Sequence, residues 1–536
     1  MTDLNRSARS MAILTVVSRL TGFARVVVFT AVFSKTYLAN TYISANTVPN
    51  ILFELFAAGA LQAVLVPTMV RLLPADGGSG EDAERVAGTV LGLLCGFLAF
   101  IGVAAVAFGS QVMGLLVGDV RSASVRQAEV ELGALFLWFF MPQLVFYGAN
   151  VVATAVLNAR NRFALPVFAP TLNNVVVIGC YLWFGAIHEG PLTLDLTAAE
   201  LWILAGGTTL GVVIFCALPV AAVWRSGFRL RPHFDHRHPA VRSLLREGAW
   251  AGVFLALTQV VQVVILKVAN RSAGGPTVYQ FAFILFTLPH ALFSVPVMTT
   301  RFPEMTRAAH ALDWPAYRRS VGLATRSIAY MALAATAVSL AVANPGARLL
   351  SFGKAARLAP EIASATIAFA PGIVGFGLLL FFTRALYATA DTRTPAVVNL
   401  GLVAVTSVVM LTAVPRLADR DLVTGLAGVY AVGNLGGALA LGLLVARRIA
   451  ATGGGRLGVV APALRGVAAA VAAGGIGYVC SRSIGWSSKP TAVASLVASS
   501  AVAVVAFIGV NWAVGGPAPK VAIATLGAGR DAGADA

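Results

Sequence analysis

Long runs of hydrophobic residues alternate with short polar connections along almost the whole chain. Each run holds roughly 20 residues, which is enough for a helix to cross a hydrocarbon core about 30 Å thick. The pattern predicts about fourteen membrane-spanning helices, near residues 11–34, 41–70, 86–109, 128–157, 164–187, 198–224, 248–270, 276–300, 320–343, 361–386, 395–415, 423–446, 458–481 and 491–514. We therefore expect an all-α polytopic membrane protein.

The composition excludes a water-soluble fold. Of the 536 residues, 58% are hydrophobic and 11% are charged, whereas soluble proteins carry about 25% charged residues. The four cysteines lie inside hydrophobic runs without paired spacing, so we predict neither a disulfide nor a zinc site.

The basic residues indicate the orientation of the chain. Arginines collect in short loops between the hydrophobic runs, above all in 225–246, 301–326 and 447–456. Because an even number of spans places both termini on one side, and basic loops stay in the cytoplasm, we predict that both termini are cytoplasmic. The net charge of +17 then reflects topology, so nucleic acid is not an expected partner.

An internal repeat divides the chain into two halves. The segment 47–53 (TVPNILF) is similar to 287–293 (TLPHALF), six predicted spans later, and 157–166 is similar to 386–395. An even displacement gives both halves the same orientation, which makes them parallel repeats. The alternative is coincidence, because proline and leucine are common in such helices.

The repeat and the longest basic loop predict the domain organisation. We expect two six-helix lobes, at 1–224 and 248–450, joined by a linker at 225–247. Two additional C-terminal helices follow at 451–514, and a disordered tail at 515–536.

Helix-breaking residues within the spans predict kinks or gates. Proline removes a backbone hydrogen bond, which membranes tolerate only where protein or a water-filled cavity covers the freed carbonyl group. We assign this role to Pro49, Gly59, Pro67 and Pro289. The alternative is that these residues only shape helix packing.

Two arginines in the first span are the strongest candidates for a binding site. A central arginine costs about 2.5–3.5 kcal/mol on the insertion scale, so Arg19 and Arg25 need polar surroundings. The planar guanidinium group donates two parallel hydrogen bonds to phosphate oxygens. We predict that both arginines line a cavity that binds phosphate, the alternative being a structural ion pair with an acidic residue such as Glu54.

Several motifs in order resemble the MurJ/MviN family of lipid II flippases. The resemblance covers roughly residues 10–450 and rests on Ser18–Arg25 (SRLTGFAR), Val48–Asn50 (VPN), Phe56–Pro67 (FAAGALQAVLVP), Leu157–Phe163 (LNARNRF) and Ala169–Asn174 (APTLNN). It implies the fold of the multidrug/oligosaccharidyl-lipid/polysaccharide (MOP) exporters, with two six-helix lobes and two extra helices. It also implies a bacterial cytoplasmic membrane location, and the arginine- and alanine-rich composition is typical of a high-GC genome such as an actinobacterial one.

The chain departs from the family in its cationic site. Arg19 and Arg25 match family arginines, but an acidic residue is replaced by Asn40. Two arginines after Val-Pro-Asn are replaced by Phe53 and Glu54, and an Asp-Arg pair by Phe283 and Ile284. These departures put the substrate in doubt.

Other polar residues complete the predicted cavity. The seventh span carries Gln259, Gln262 and Lys267, which we add to Arg19, Arg25 and Asn40 as candidate substrate-binding residues. Lys267 either extends to the membrane interface or turns inward to replace the cation missing at Ile284. Polar residues of the fourth and fifth spans form interhelical hydrogen bonds or line the cavity: Gln143, Asn150, Asn173 and Asn174.

No catalytic residue or metal site is predicted. His233, His236 and His238 have a metal-like spacing but lie in a basic loop, which favours a solvated segment, and Asp391 fits a loop or helix start better than an ion ligand.

The expected function is transport of a lipid-linked pyrophosphate oligosaccharide by alternating access. The energy source implied by the family is a sodium ion or the membrane potential, without a bound cofactor. Membrane lipids and cell-wall or division proteins are the other expected partners. The alternatives are a non-transporting membrane scaffold and a MOP-superfamily exporter of another lipid-linked glycan or of a drug.

Overall fold

The computed structural model describes residues 2–55, 65–66, 68–70, 72–73, 80–235, 256–452, 455 and 457–516, with side chains described from residue 13 onward except at 354. The described residues are almost entirely helical and contain no strand. They fall into two compact units, Met1–Thr277 and Val278–Ala536.

The first unit is a helical bundle with an aromatic core. Its helices are α1 (Thr2–Phe33), α2 (Tyr37–Phe53), α3 (Glu81–Ala107), α4 (Gly109–Val117), α5 (Ala123–Phe140), α6 (Gln143–Ala159), α7 (Ala164–Ile187), α8 (Ala198–Leu201), α9 (Gly207–Arg225) and α10 (Ala256–Ala269). A π-helical turn, Trp202–Gly206, joins α8 to α9. The core includes Phe33, Tyr42, Phe136, Tyr181 and Phe184, all less than 3% exposed.

The second unit begins within the next helix. Its helices are α11 (Gly275–Pro289), α12 (Val295–His310), α13 (Trp314–Leu350), α14 (Ala359–Phe369), α15 (Gly372–Ala388), α16 (Arg393–Thr412), α17 (Leu422–Ala451), α18 (Val460–Ile484) and α19 (Lys489–Ala513). The ammonium group of Lys489 connects α19 to the end of α13, because Nζ donates to the carbonyl oxygens of Arg348, Leu349 and Ser351 at 2.7–3.1 Å.

The helices confirm a polytopic all-α membrane protein. Among the described residues, eleven helices are long and apolar enough to span a membrane, or twelve when the bent pair of α14 and α15 counts as one span. The other two predicted spans, 41–70 and 248–270, run into residues outside the described ranges. The count of fourteen therefore stays a prediction.

The seventh predicted span lies with the first unit, not the second. The boundary at Thr277 follows a buried connection in which Asn40 holds the segment after α10. Asn40 Nδ2 donates to the Ser272 carbonyl oxygen at 2.9 Å, and Asn40 Oδ1 accepts from the Gly274 N–H at 2.9 Å. The lobe boundary at 248 stays a prediction. It concerns the sequence repeat, whereas the two compact units are defined by contacts between residues.

The predicted linker is ordered where it is described. Residues 226–235 run along α3, with the His233 N–H donating to the Gly88 carbonyl oxygen at 2.9 Å. A Cβ at Gly88 or Gly92 would lie 2.2 Å from a linker carbonyl oxygen, so only glycine permits this approach. His236, His238 and the rest of the linker lie outside the described residues, as do 517–536 of the predicted tail.

One repeated segment has the same backbone in both units. After α6, the Arg162 N–H donates to the Leu157 carbonyl oxygen, and after α15 the Asp391 N–H donates to the Leu386 carbonyl oxygen. The residue before each donor is left-handed, with φ of 57° at Asn161 and 58° at Ala390. Both are Schellman-type helix ends, which supports the repeat inferred from sequence.

Candidate functional site

Arg25 lies in the first unit among tyrosine hydroxyl groups. Its guanidinium group lies close to Tyr181 on α7, Tyr42 on α2 and Tyr147 on α6. A tyrosine hydroxyl offers an acceptor without a negative charge. The charge of Arg25 is therefore solvated by dipoles and keeps its attraction for an anion.

Hydrogen bonds hold these hydroxyl groups in place. Tyr42 Oη lies 3.0 Å from Tyr181 Oη and 2.6 Å from Thr208 Oγ1. Tyr147 Oη donates to Gln143 Oε1 at 3.4 Å. The network joins α2, α6, α7 and α9 around one residue of α1, so the position of Arg25 depends on five helices.

Arg19 is in a different environment. It lies on an exposed face of α1, whereas Arg25 is half-buried. In the part of the chain that the structure describes, neither arginine forms an ion pair, and none is formed by Glu54. The geometry therefore gives no support to a structural ion pair with Glu54.

The remaining predicted cavity residues lie elsewhere in the first unit. Asn40 is 0% exposed, and its carboxamide group forms hydrogen bonds with the backbone of Ser272 and Gly274. Lys267 Nζ lies 3.9 Å from Asp119 Oδ1, so a carboxylate already faces its ammonium group. Gln259 and Gln262 are half-buried on α10, without a hydrogen bond within the described residues. Their substrate-binding role stays a prediction.

Two of the four polar residues predicted on the fourth and fifth spans form contacts between helices, whereas Asn150 Oδ1 and Asn173 Oδ1 are buried without a hydrogen-bond partner in the described residues. Gln143 Nε2 donates to Thr209 Oγ1 at 2.8 Å, and Asn174 Nδ2 donates to Thr21 Oγ1 at 3.3 Å. Interhelical hydrogen bonding, one of the two interpretations offered above, is thus observed at both residues.

Two predicted kink residues fall in described helices. Pro289 ends α11, and the π-helical turn His290–Ser294 follows at once; Pro49 lies within α2, with π-helical residues at 54–55. A π turn relieves the loss of a regular helical hydrogen bond. Gly59 and Pro67 lie outside the described residues.

Aromatic side chains occupy two of the positions at which the resemblance implies charged residues. Phe53 packs on Tyr147 with ring centroids 5.2 Å apart. Phe283 belongs to an aromatic cluster of the second unit, 5.8 Å from both Tyr279 and Tyr430 and 6.0 Å from Phe369. Neither Phe53 nor Phe283 supplies a charge at these positions.

The sequence reasoning missed the tyrosines. Tyr42, Tyr147 and Tyr181 are scattered over three predicted spans, and a tyrosine in a membrane helix is ordinary. One available signal was that an intramembrane arginine needs polar partners, and these tyrosines are polar residues inside neighbouring spans.

Comparisons with known proteins agree on one family. Residues 29–502 match the family described as lipid II flippase MurJ. The lipid II flippase MurJ of Burkholderia cenocepacia is 27% identical over 426 residues, which cover 78% of this chain and 80% of that protein. The probable lipid II flippase MurJ of Rhizobium meliloti is 26% identical over 419 residues, covering 76% and 75%.

Solved structures share the fold. A lipid II flippase MurJ in an inward closed conformation has a TM-score of 0.72 at 16% identity, covering 94% of this chain and 99% of that one. An inward-facing multidrug resistance MATE family transporter of the MOP superfamily has a TM-score of 0.64 at 15% identity, covering 81% and 95%. These likenesses confirm the predicted MOP-type fold, and the match over residues 29–502 shows that the chain belongs to the lipid II flippase MurJ family.

Proposed function

We propose that this protein moves lipid II, the lipid-linked peptidoglycan precursor, across the bacterial cytoplasmic membrane by alternating access. The family match over most of the chain supports the substrate, and the shared fold with MOP transporters supports the mechanism.

The environment of Arg25 carries the proposal. A guanidinium group inside a membrane-spanning helix, surrounded by hydroxyl dipoles and without a carboxylate partner in the described residues, is an anion-binding arrangement. A pyrophosphate supplies the missing negative charge. The site must also release its ligand, and a single half-buried cation with neutral neighbours binds less tightly than a cluster of arginines.

The second unit carries an apolar feature of its own. The second unit has an apolar groove of about 610 Å³ between α11, α13 and α19. Its walls include Leu285, Leu292, Tyr330, Leu496 and Phe507. An isoprenoid chain matches this lining because burial of hydrocarbon needs no polar partner.

The experiment is a lipid II accessibility assay in cells depleted of the protein and complemented with variants. We expect Arg25→Ala to abolish flipping at normal abundance, and Arg25→Lys to restore little because an ammonium group lacks the planar fork. Arg482→Ala is the matched control, since Arg482 is an exposed arginine in the last turn of α18. It should flip lipid II like the wild type.

The outcomes separate the proposal from its alternatives. Normal flipping by Arg25→Ala would contradict a role in phosphate binding. A wild-type protein that supports growth without flipping would favour the scaffold, and flipping of a different lipid-linked glycan would favour another exporter. Sodium or membrane-potential coupling and contacts with cell-wall or division proteins stay predictions.

A further inference from the structure

A glutamate is buried in the first unit, apart from the Arg25 site. Glu129 lies on α5, seven residues into the helix, and is 0% exposed. The candidate span Ala123–Ala159 contains it. Acidic residues inside membrane spans are rare and usually functional.

The hydrogen bonds of Glu129 are incomplete for an ionised carboxylate. Its Oε1 atom lies 3.1 Å from Thr41 Oγ1, and its Oε2 atom is buried without a hydrogen-bond partner. A carboxylate has two acceptor oxygens and needs donors at both. Here one oxygen has a single partner and the other has none.

Counting protons at Thr41 identifies the protonated form. Thr41 Oγ1 lies 2.9 Å from the Tyr37 carbonyl oxygen as well as 3.1 Å from Glu129 Oε1, and a hydroxyl group has only one proton. If Glu129 carries a proton on Oε1, it donates to Thr41, which then donates to Tyr37. Each contact then has its own proton.

The surroundings of Glu129 supply no compensating charge. The elements packed against α5 are α2, α3, α4, α6, α9 and the π turn. Their titratable residues and those of α5 itself are Tyr37, Tyr42, Glu81, Asp82, Glu84, Arg85, Cys95, Tyr147, Cys216, Arg225, Arg126 and Glu131. Within the described residues, none of them is hydrogen-bonded or ion-paired to Glu129. An ionised carboxylate there would be desolvated without a partner.

We propose that Glu129 is a proton-binding site whose protonation holds α2 against α5, and whose proton exchanges with water when the two helices separate. The step is a simple transfer: a carboxylate and a proton from bulk water give the carboxylic acid. Three oxygen atoms, two from Glu129 and one from Thr41, are too few for a metal cation, which favours the proton.

The contact is placed to influence the conformational cycle. Thr41 follows Asn40, whose carboxamide group holds the segment after α10, and Ser44 one turn later accepts from Asn270 Nδ2 at 2.8 Å. Loss of the proton at Glu129 therefore loosens the helix that holds the end of α10. This role rests on the proposed function, because coupling requires a transport cycle.

The first test does not depend on transport. Infrared difference spectra of the full-length protein in liposomes report the C=O stretch of a protonated carboxyl group. We expect this band at neutral pH in the wild type and in Glu131→Gln, and its loss in Glu129→Gln. Glu131 is the matched control, because it lies two residues along the same helix, is exposed, and accepts from Gln127 at 2.6 Å.

A second variant guards against misfolding. Thr41→Val removes the partner hydroxyl group, so the band should persist at a shifted wavenumber. A spectrum in which Glu129→Gln leaves the band unchanged, or a wild type without the band, would overturn the proton site.

Coupling is then measured as lipid II flipping in liposomes with an imposed pH gradient. The gradient should change the wild-type and Glu131→Gln rates but not the Glu129→Gln rate. A gradient response retained by Glu129→Gln overturns coupling, and so does a rate that follows sodium at fixed pH. Absence of flipping in every variant, with the infrared band present, contradicts the proposed function and leaves the proton site standing.

Discussion

An arginine inside a membrane needs polar neighbours, and at Arg25 the described residues supply them without an acidic partner. Burial of an unpaired guanidinium group costs several kcal/mol unless dipoles or charges replace water. At Arg25 the replacement comes from Tyr42, Tyr147 and Tyr181. Hydroxyl dipoles solvate the cation without neutralising it, which leaves room for an anionic substrate.

A single residue also limits stability at the end of α15. Ala390 adopts φ of 58°, a left-handed conformation that costs an L-residue about 1–2 kcal/mol. We expect Ala390→Gly to raise the free energy of unfolding by about 0.5–1 kcal/mol, because relief of strain exceeds the entropy that glycine loses. Thermal unfolding of the purified protein measures the change.

The repeat provides the control for that substitution. Asn161 has the equivalent conformation, with φ of 57°, but asparagine tolerates it. Asn161→Gly should therefore be nearly neutral. Equal effects of the two substitutions would argue against strain at Ala390.

At the scale of helices, an arginine in each unit connects the loop after one helix to the end of another helix. In the first unit, Arg160 Nη1 donates to Ser226 Oγ at 2.8 Å and its guanidinium carbon lies 5.2 Å from the centre of the Phe228 ring. In the second unit, Arg448 Nη1 donates to Asp391 Oδ2 at 2.8 Å. The repeated backbone therefore carries different side-chain chemistry in its two copies.

The Asp391 contact predicts a pH-dependent stability. Burial acts to raise the pKa of Asp391, but hydrogen bonds from Thr394 and the Arg448 guanidinium group outweigh it and lower the pKa. Because the folded-state pKa is the lower one, the stabilisation is complete above the ordinary aspartate pKa and disappears as the pH falls through the depressed value. Asp391→Asn should cost about 1–2 kcal/mol at neutral pH.

The measurement is thermal unfolding over a range of pH. The difference between wild type and Asp391→Asn should shrink as the solution becomes acidic. Glu189→Gln, at an exposed loop residue, should show no such trend. A constant difference between wild type and Asp391→Asn at all pH values would contradict the assigned ion pair.

At the scale of the whole molecule, an even number of spans predicts the membrane topology. Reporter enzymes fused after Ala536 should lie in the cytoplasm, and reporters inserted near Asp195, between α7 and α8, should lie outside. The prediction rests on the basic loops and on fourteen spans, so the reverse pattern, or termini on opposite sides, would exclude that topology.

The sequence by itself determined the class of fold and the positions of most described helices, and it predicted the repeat. The length of a hydrophobic run depends on the thickness of the bilayer, and the repeat consists of short sequence motifs. Neither therefore requires knowledge of contacts. The same reasoning placed Arg25 in a membrane helix and identified it as a candidate for phosphate.

Only the tertiary structure decided what surrounds those residues. The tyrosines at Arg25, the carboxylate of Asp119 near Lys267 and the backbone partners of Asn40 come from distant parts of the chain. In the sequence, Glu129 is one of two glutamates two positions apart, beside Arg126 and Gln127. Its unpartnered oxygen exists only in the packed bundle. Hydropathy is a property of single residues summed along a helix, whereas solvation and hydrogen bonding depend on which helix faces meet.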